Sequence, residues 1–409
     1  MTLHLFEGYG IEMEFMIVHT HDLSIASICD VVLRELAGAQ VNQVERGALA
    51  WSNELALHVI ELKTNGPAPH IGGAWDAFAE GIAELTRRLA VHGAMPLPGA
   101  MHPTLDPATA RLWPHDGKPI YATYDRVFGT AGHGWVNLQS THLNLPFAGD
   151  DEFGRLHAAV RAVLPLLPGL AASSPMCDGV LGSALDTRLQ VYLGNQRRIP
   201  SIIGKVVPEP VWTRADYERE ILAPMYRDIA PFDPEGELQD EWLNSRGAIA
   251  RFDRDAIEIR VLDLQEHPGA DLSITDLVAW VVRGLVEERE VSIAELRALD
   301  TDALAQLFVA AVSQADETVV EHAPLLRALG CAATRLGLRE LWAELAGRRW
   351  AAADADPRLR APLETIVQQG PLARRLRRAL GDAPTRARID AVWRELAACL
   401  QRMESFTGA

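Results

Sequence analysis

Apolar and polar positions alternate with period two in several short stretches of the first 265 residues, and each stretch predicts a strand with two unlike faces. In Gly10-Ile11-Glu12-Met13-Glu14-Phe15-Met16-Ile17, Glu12 and Glu14 share one face while Ile11, Met13, Phe15 and Ile17 share the other. Ala256-Ile257-Glu258-Ile259-Arg260-Val261 repeats the layout, with Glu258 and Arg260 together. In Ser140-Thr141-His142-Leu143-Asn144-Leu145 the polar pair is His142 and Asn144. The stretch Asn53 to Leu62 is less regular. Read as a single strand it puts Glu54 and Glu61 on opposite faces, so for both to reach one site Glu54 must lie in the preceding turn or a bulge must intervene.

From about residue 270 the period changes. Leu, Ala, Arg and Glu recur at helical spacing, as in Ile293 to Leu299 and Ile389 to Leu396. We therefore expect an α+β catalytic domain over residues 1–290 and a helical C-terminal region over 291–409. The domain is expected to be an antiparallel sheet with one acidic concave face and one apolar face backed by helices. The basic run Arg374, Arg375, Arg377 and Arg378, interleaved with Leu372, Leu376 and Leu380, reads as an amphipathic helix with a solvated basic face.

Composition narrows the partners. The chain has 409 residues, with 39 Lys+Arg against 55 Asp+Glu and a formal net charge of −16. That balance disfavours nucleic acid and anionic membranes, which need a dense positive field. Small-molecule ligands, or ligands arriving with cations, fit better. Cys29, Cys177, Cys331 and Cys399 lack the spacing of a disulfide framework or zinc knuckle, so a reducing cytoplasm is expected. Glu7, Glu12 and Glu14 interrupt any secretory leader, and the run Ala162 to Ala172 is too short to span a bilayer. A homo-oligomer is compatible with all of this.

The polar strand faces suggest the chemistry. Two carboxylates side by side at ~6 Å repel by about 3 kcal/mol at an effective dielectric of ~20. A partly buried face tolerates that poorly without a cation. Taken singly, each strand could also be a solvated edge or a surface ion-pair strand, and the histidine a satisfied rim residue. Taken together, four or five carboxylates and a histidine without cysteine make a site for Mg²⁺ or Mn²⁺, not zinc. Such ions on acidic clusters usually hold a polyphosphate, which points to ATP. No G-x-x-x-x-G-K-[ST] loop, dinucleotide glycine fingerprint or G-x-S-x-G elbow offers another route.

These segments, in this order, resemble glutamate–cysteine ligase family 2, the carboxylate–amine ligases of the glutamine synthetase superfamily. The resemblance rests on Gly10 to Phe15, the Glu54-x6-Glu61 pair, His142-x-Asn144 and Ile257-Glu258-Ile259-Arg260. Met101-His102-Pro103, Ser173-Ser174-Pro175 with Gly179, and Asp186-Thr187-Arg188 add to it. It covers roughly residues 8 to 290. It implies transfer of ATP's γ-phosphoryl group to a substrate carboxylate, glutamate first, and attack on the acyl phosphate by an amine, cysteine first. Carried over by position, Glu12, Glu14, Glu54, Glu61, His142 and Glu258 would bind metal. His142, Asn144 and Arg260 would face the nucleotide, with Glu258 and Arg260 serving catalysis. Arg188 is a candidate for holding a substrate carboxylate, with a structural ion pair as its alternative. His-x-Asn in place of the His-x-His of many carboxylate–amine ligases is closer to the glutamate–cysteine ligase branch. Two other readings stand beside this one: a relative that binds nucleotide or metabolite without catalysis, and a metal-dependent phosphohydrolase.

Overall fold

The structure, a computed structural model, describes residues 2–408. Its strands are β1 (Gly10–His19), β2 (Gln43–Arg46), β3 (Leu49–Asn53), β4 (Val59–Thr64), β5 (Ala94–Leu97), β6 (Ser140–Pro146), the hairpin β7 (Met176–Cys177) and β8 (Val180–Leu181), β9 (Ala248–Arg251) and β10 (Ala256–Asp263). One eight-stranded sheet runs in the order β2-β3-β4-β1-β6-β10-β9, with β5 pairing β1 off that path. Every pairing in it is antiparallel.

The period-two stretches become strands because their apolar sides have a core to enter. Ile11, Met13, Phe15, Leu143, Leu145, Ile257 and Ile259 are fully buried. They share one cluster with Phe78, Ile82 and Leu85 of the helix Trp75–Val91, Phe153 and Leu156 of Gly149–Val163, and Leu272 and Leu277 of Pro268–Val286. Helix Trp75–Val91 comes so near the sheet at Gly81 that a Cβ there would lie 2.9 Å from Leu49 and 3.2 Å from Leu62. A side chain at that position would push the helix off the sheet.

The stretch from Asn53 to Leu62 is the end of one strand and the start of another joined by a loop, so of the two expected alternatives it is the turn, not the bulge, that the chain adopts. β3 ends at Asn53, β4 starts at Val59, and Glu54 lies in the loop between them. The parity problem disappears because Glu54 and Glu61 belong to different elements.

Beyond Glu14 the polar face of β1 turns apolar. Met16 and Val18, with Leu97 of β5, pack against Leu372 and Leu376 of the helix Leu372–Leu380 and Trp393 and Leu396 of Arg386–Arg402. The C-terminal helices thus cover one end of the face that carries the glutamates. Arg375 in the basic run is not solvated: it is fully buried, 2.5 Å from the equally buried Glu266. The helix turns this one arginine inward, where a carboxylate waits, while Leu372 and Leu376 flank it in the core. The elements of residues 291–408 are helices, apart from the short strand pair Val319–Val320 with Leu336–Gly337. The helix Leu338–Trp350 enters the main core, its Trp342 indole donating to the Leu166 carbonyl at 3.0 Å. Among the described residues, no helix is long and apolar enough to cross a membrane.

Candidate active site

The polar face gathers side chains from four neighbouring strands. Register sets Glu12 of β1 beside Lys63 of β4 on one side and His142 of β6 on the other. Glu14 stands opposite Glu61, and Glu258 of β10 opposite Asn144 of β6. Gly10 makes this arrangement feasible, since a Cβ there would fall 2.9 Å from the Cβ of Asn144. Without one, Asn144 donates from Nδ2 to Glu12 Oε1 at 3.1 Å.

His142 is the hub. Its Nδ1 lies 3.1 Å from Glu12 Oε2 and 3.7 Å from Glu258 Oε1, and its Nε2 lies 3.8 Å from Glu14 Oε1. The Ser140 hydroxyl sits 2.9 Å from Nε2, and the Ser140 backbone N–H donates to Glu14 Oε2 at 2.7 Å. Burial works against a charged imidazole here. The hydrogen bond to Glu12 and the charges of Glu258 and Glu14 outweigh it and push His142 up to about 9. Burial likewise works to raise Glu12, but the hydrogen bond and charge of His142, with Lys63 across the strand, hold its carboxyl below the ordinary range.

Glu61 has a different environment. It accepts from the Ser52 hydroxyl at 2.6 Å and from Lys63 Nζ at 2.6 Å. Burial and the charge of Glu12 nevertheless push it up to about 7. Burial, then the charges of Glu61 and Glu14, push Glu54 well above the ordinary carboxylate range, and among the described residues its carboxylate has no hydrogen bond or ion pair. Donor atoms of Glu12, Glu61 and His142 all lie within 4.8 Å of one another, close enough to share one ion.

Glu12, Glu14, Glu54, Glu61, His142, Glu258 and Arg260 all line a cavity of about 330 Å³. Asn144 lies just beyond it, in the wall of an adjoining cavity of about 860 Å³. Arg260 Nε is 3.0 Å from Glu258 Oε1. Three cations that the strand reading missed also face the smaller cavity: Lys63, Arg251 and Arg254. The chain thus supplies cations of its own to this face, beside any metal it would hold. The alternation Glu61-Leu62-Lys63 carried that signal for Lys63.

Arg188 is placed elsewhere. Its guanidinium is buried against Asp263, with Nε donating to Oδ1, and it is not among the residues lining either cavity. Asp263 is also held by the Ser173 backbone N–H at 2.7 Å and the Ser174 hydroxyl at 2.8 Å. The pair sits at the C-terminal end of β10, with Arg188 also reaching the carbonyl of Arg260. The geometry is that of the structural ion pair.

A second grouping, His133, Cys177 and Asp178, brings donor atoms within 4.8 Å at the β7–β8 hairpin. The Asn137 amide is fixed by the backbone of His102 and donates to His133 Nδ1 at 3.0 Å. The imidazole proton therefore sits on Nε2, which faces Asp178 at 2.9 Å.

Comparison with known proteins decides the family. The sequence model of glutamate–cysteine ligase family 2 matches residues 9–396. The chain belongs to that family. The match runs well past residue 290, where the resemblance read from the motifs ends. An uncharacterized protein of Archaeoglobus fulgidus is 36% identical over 287 residues, 69% of this chain and 76% of that protein. A Rubrobacter xylanophilus protein provisionally named glutamate–cysteine ligase 2-3 is 24% identical over 346 residues, covering 81% and 88% of the two chains. Among solved structures, the bifunctional glutathione synthetase of Pasteurella multocida is similar with a TM-score of 0.56 at 14% identity, over 96% of this chain and 52% of that one. This chain thus spans about half of that enzyme, and the likeness concerns the fold. Family membership makes the protein a ligase of the carboxylate–amine type.

Proposed function

We propose that this protein is an ATP-dependent ligase, working with Mg²⁺ or Mn²⁺, that joins the γ-carboxylate of glutamate to the amino group of cysteine or a related amine. The observation that carries this reading is the convergence of Glu12, Glu14, Glu54, Glu61, Glu258, His142 and Arg260 on one cavity. In this reading the glutamate-bearing face is the concave working face of a catalytic unit over 1–290, and residues 291–409 act as its helical cover. The setting is the cytoplasm, the partners are the two small-molecule substrates, and a homo-oligomer is compatible with it.

The donor set fits a hard divalent cation, being carboxylate oxygens with one imidazole and no thiolate. Glu12, Glu61 and His142, whose imidazole would give up a proton on binding the metal, would hold one such ion, with Glu14, Glu54 and Glu258 available for others. When bound, the metal would screen the repulsion between carboxylate and triphosphate and offset charge on the transferring phosphoryl group. Arg260, kept in place by Glu258, would bind the equatorial oxygens of that group. Asn144, through its hydrogen bond to Glu12, would hold that carboxylate in place for the metal. The substrate carboxylate attacks the γ-phosphorus and ADP leaves. The amine then attacks the acyl carbon, phosphate departs as the leaving group and the amine's extra proton passes to solvent or to a carboxylate of the cavity. Arg188 acts through position: its pair with Asp263 supports the strand that presents Arg260.

The test follows ADP release from ATP and Mg²⁺ with a panel of amino-acid pairs. Release that requires both an acid and an amine, and is abolished in Glu258→Gln, is expected. ADP released at an unchanged rate without amine would favour a phosphohydrolase instead.

A further inference from the structure

The two cavities share a wall: Glu12, Gln43, Lys63 and Arg254 line both. Lys63 is therefore at a junction, on the same polar face as Glu61 and directly across from Glu12. Its ammonium rests 2.6 Å from Glu61 Oε2, an oxygen also taken by Ser52. Glu61 belongs in turn to the grouping with Glu12 and His142 whose donor atoms could share one ion.

A divalent cation held by Glu61 would compete with these contacts. An ion coordinated by Glu61 would sit at ~2 Å from its oxygen and so within a few ångströms of an ammonium bonded to the same carboxylate. Two positive charges on one side would then repel one on the other at short range in a partly desolvated site. Glu61 and Glu12 are held by their strands, Glu61 also by Ser52 and Glu12 by Asn144. Lys63, on a flexible four-carbon stem and a quarter exposed, is the group free to move. The open direction is the larger cavity, where Arg254 supplies a second cation and Thr64, Asn65 and Asn144 supply polar side chains. Glu7, Asp253 and Asp255 line its rim as well, and Asp253 engages Arg254 at 3.6 Å. Lys63 thus stands, with Arg254, on the boundary between the acidic cluster and the larger cavity, and of the two it is the one bonded to the cluster.

We infer that Lys63 is a two-position cation: it neutralises Glu61 while the Glu12–Glu61–His142 cluster is metal-free, and metal entry drives it to the cavity junction, where it binds phosphate oxygens of the nucleotide. This rests on the ligase reading and adds a residue to it. It also ties the two ligands together, since metal entry frees the group that receives the nucleotide.

The two roles predict opposite signs for one substitution. Mn²⁺ alone is titrated into the full-length protein by electron paramagnetic resonance, and ADP is titrated by calorimetry at saturating Mg²⁺. Lys63→Met removes the competitor for Glu61, so Mn²⁺ affinity should rise about three- to tenfold. It also removes a charge-assisted contact, so ADP affinity should fall about tenfold or more. Lys63→Arg, which keeps the charge, should hold both affinities within about threefold of the native protein. A purely structural role would weaken both ligands in Lys63→Met. An unchanged or lowered Mn²⁺ affinity, or an unchanged ADP affinity, overturns the inference, as does a Lys63→Arg protein that has lost ADP binding. If the native protein binds and turns over ATP while Lys63→Met matches it for both ligands, the Lys63 assignment alone falls. If the native protein binds neither Mn²⁺ nor ADP, the ligase reading falls with it.

Discussion

Glu258 Oε1 and Arg260 Nε lie 3.0 Å apart on one face of β10, at the edge of the point where its ladder with β6 shifts register between Ile259 and Leu262. The shift lets the strand bend while Arg260 stays anchored, its backbone N–H on the Gly247 carbonyl and its Nη1 on the Asn244 carbonyl at 3.1 Å. A planar guanidinium can keep these bonds and still offer donors to a phosphoryl group; an ammonium cannot. Arg260→Lys should therefore lower kcat by roughly 10²–10³, with a smaller change in the KM for ATP. Steady-state kinetics check this, and a kcat within threefold of native would count against the role.

Arg188 and Asp263 make the contrasting case of a buried pair outside the cavity. Arg188→Met leaves Asp263 without its guanidinium, beside a buried Asp186 whose carboxyl is already raised by burial and by Asp263. Breaking such a pair should cost about 3–5 kcal/mol of stability. Denaturant melts read this directly. A selective rise in the KM for the acid substrate with native stability would restore the substrate-binding role.

His157 is fully buried, stacked on Phe153, with Nδ1 2.9 Å from the Val211 carbonyl. Burial first, then the charge of Arg161, push it down to about 3 from an ordinary 6.5. A folded-state value below the unfolded one means that unfolding takes up a proton. The contribution to stability is thus complete above pH 6.5 and is lost as pH falls towards 3, at up to ~1.4 kcal/mol per pH unit. His157→Phe should be less stable at pH 8, having lost a hydrogen bond, yet close the gap with the native protein as pH drops to 5. A gap independent of pH would contradict the assignment.

The helical cover shares its core with the sheet layers. Trp342 is buried and bonded to the Leu166 carbonyl, and Leu338, Leu341 and Leu345 lie in the same cluster as Ile11 and Phe15. Trp342→Ala should cost about 3–5 kcal/mol and shift a single unfolding transition. Two separated transitions, with only one moved, would show that the region beyond residue 290 folds apart from the rest.

Local alternation made β1, β6 and β10 legible in the sequence, because a period of two fixes which side chains share a face wherever the strand lies. Glu12, Glu14, His142, Asn144, Glu258 and Arg260 followed from that. The Asn53 to Leu62 stretch was half legible: the parity conflict was visible, but only the loop between β3 and β4 shows that it resolves as a turn. Arg188 and Arg375 were not legible. Each leaves a short helix, and whether an arginine there meets solvent, a ligand or a buried carboxylate depends on what packs beside it, here Asp263 and Glu266. Lys63 was overlooked for a different reason. Its signal, the alternation Glu61-Leu62-Lys63, lies at the end of the stretch whose parity conflict obscured which residues share a face.

The central claim is that a carboxylate oxygen of the substrate becomes an oxygen of the released phosphate. The acid that supports turnover, glutamate first, is labelled with ¹⁸O in its side-chain carboxylate and reacted with the amine, ATP and Mg²⁺, and the phosphate is analysed by mass spectrometry. Acyl-phosphate formation predicts one ¹⁸O in each phosphate released. Phosphate free of label, with ADP formed at the same rate, would mean that water attacks the nucleotide, and the ligase account would be wrong.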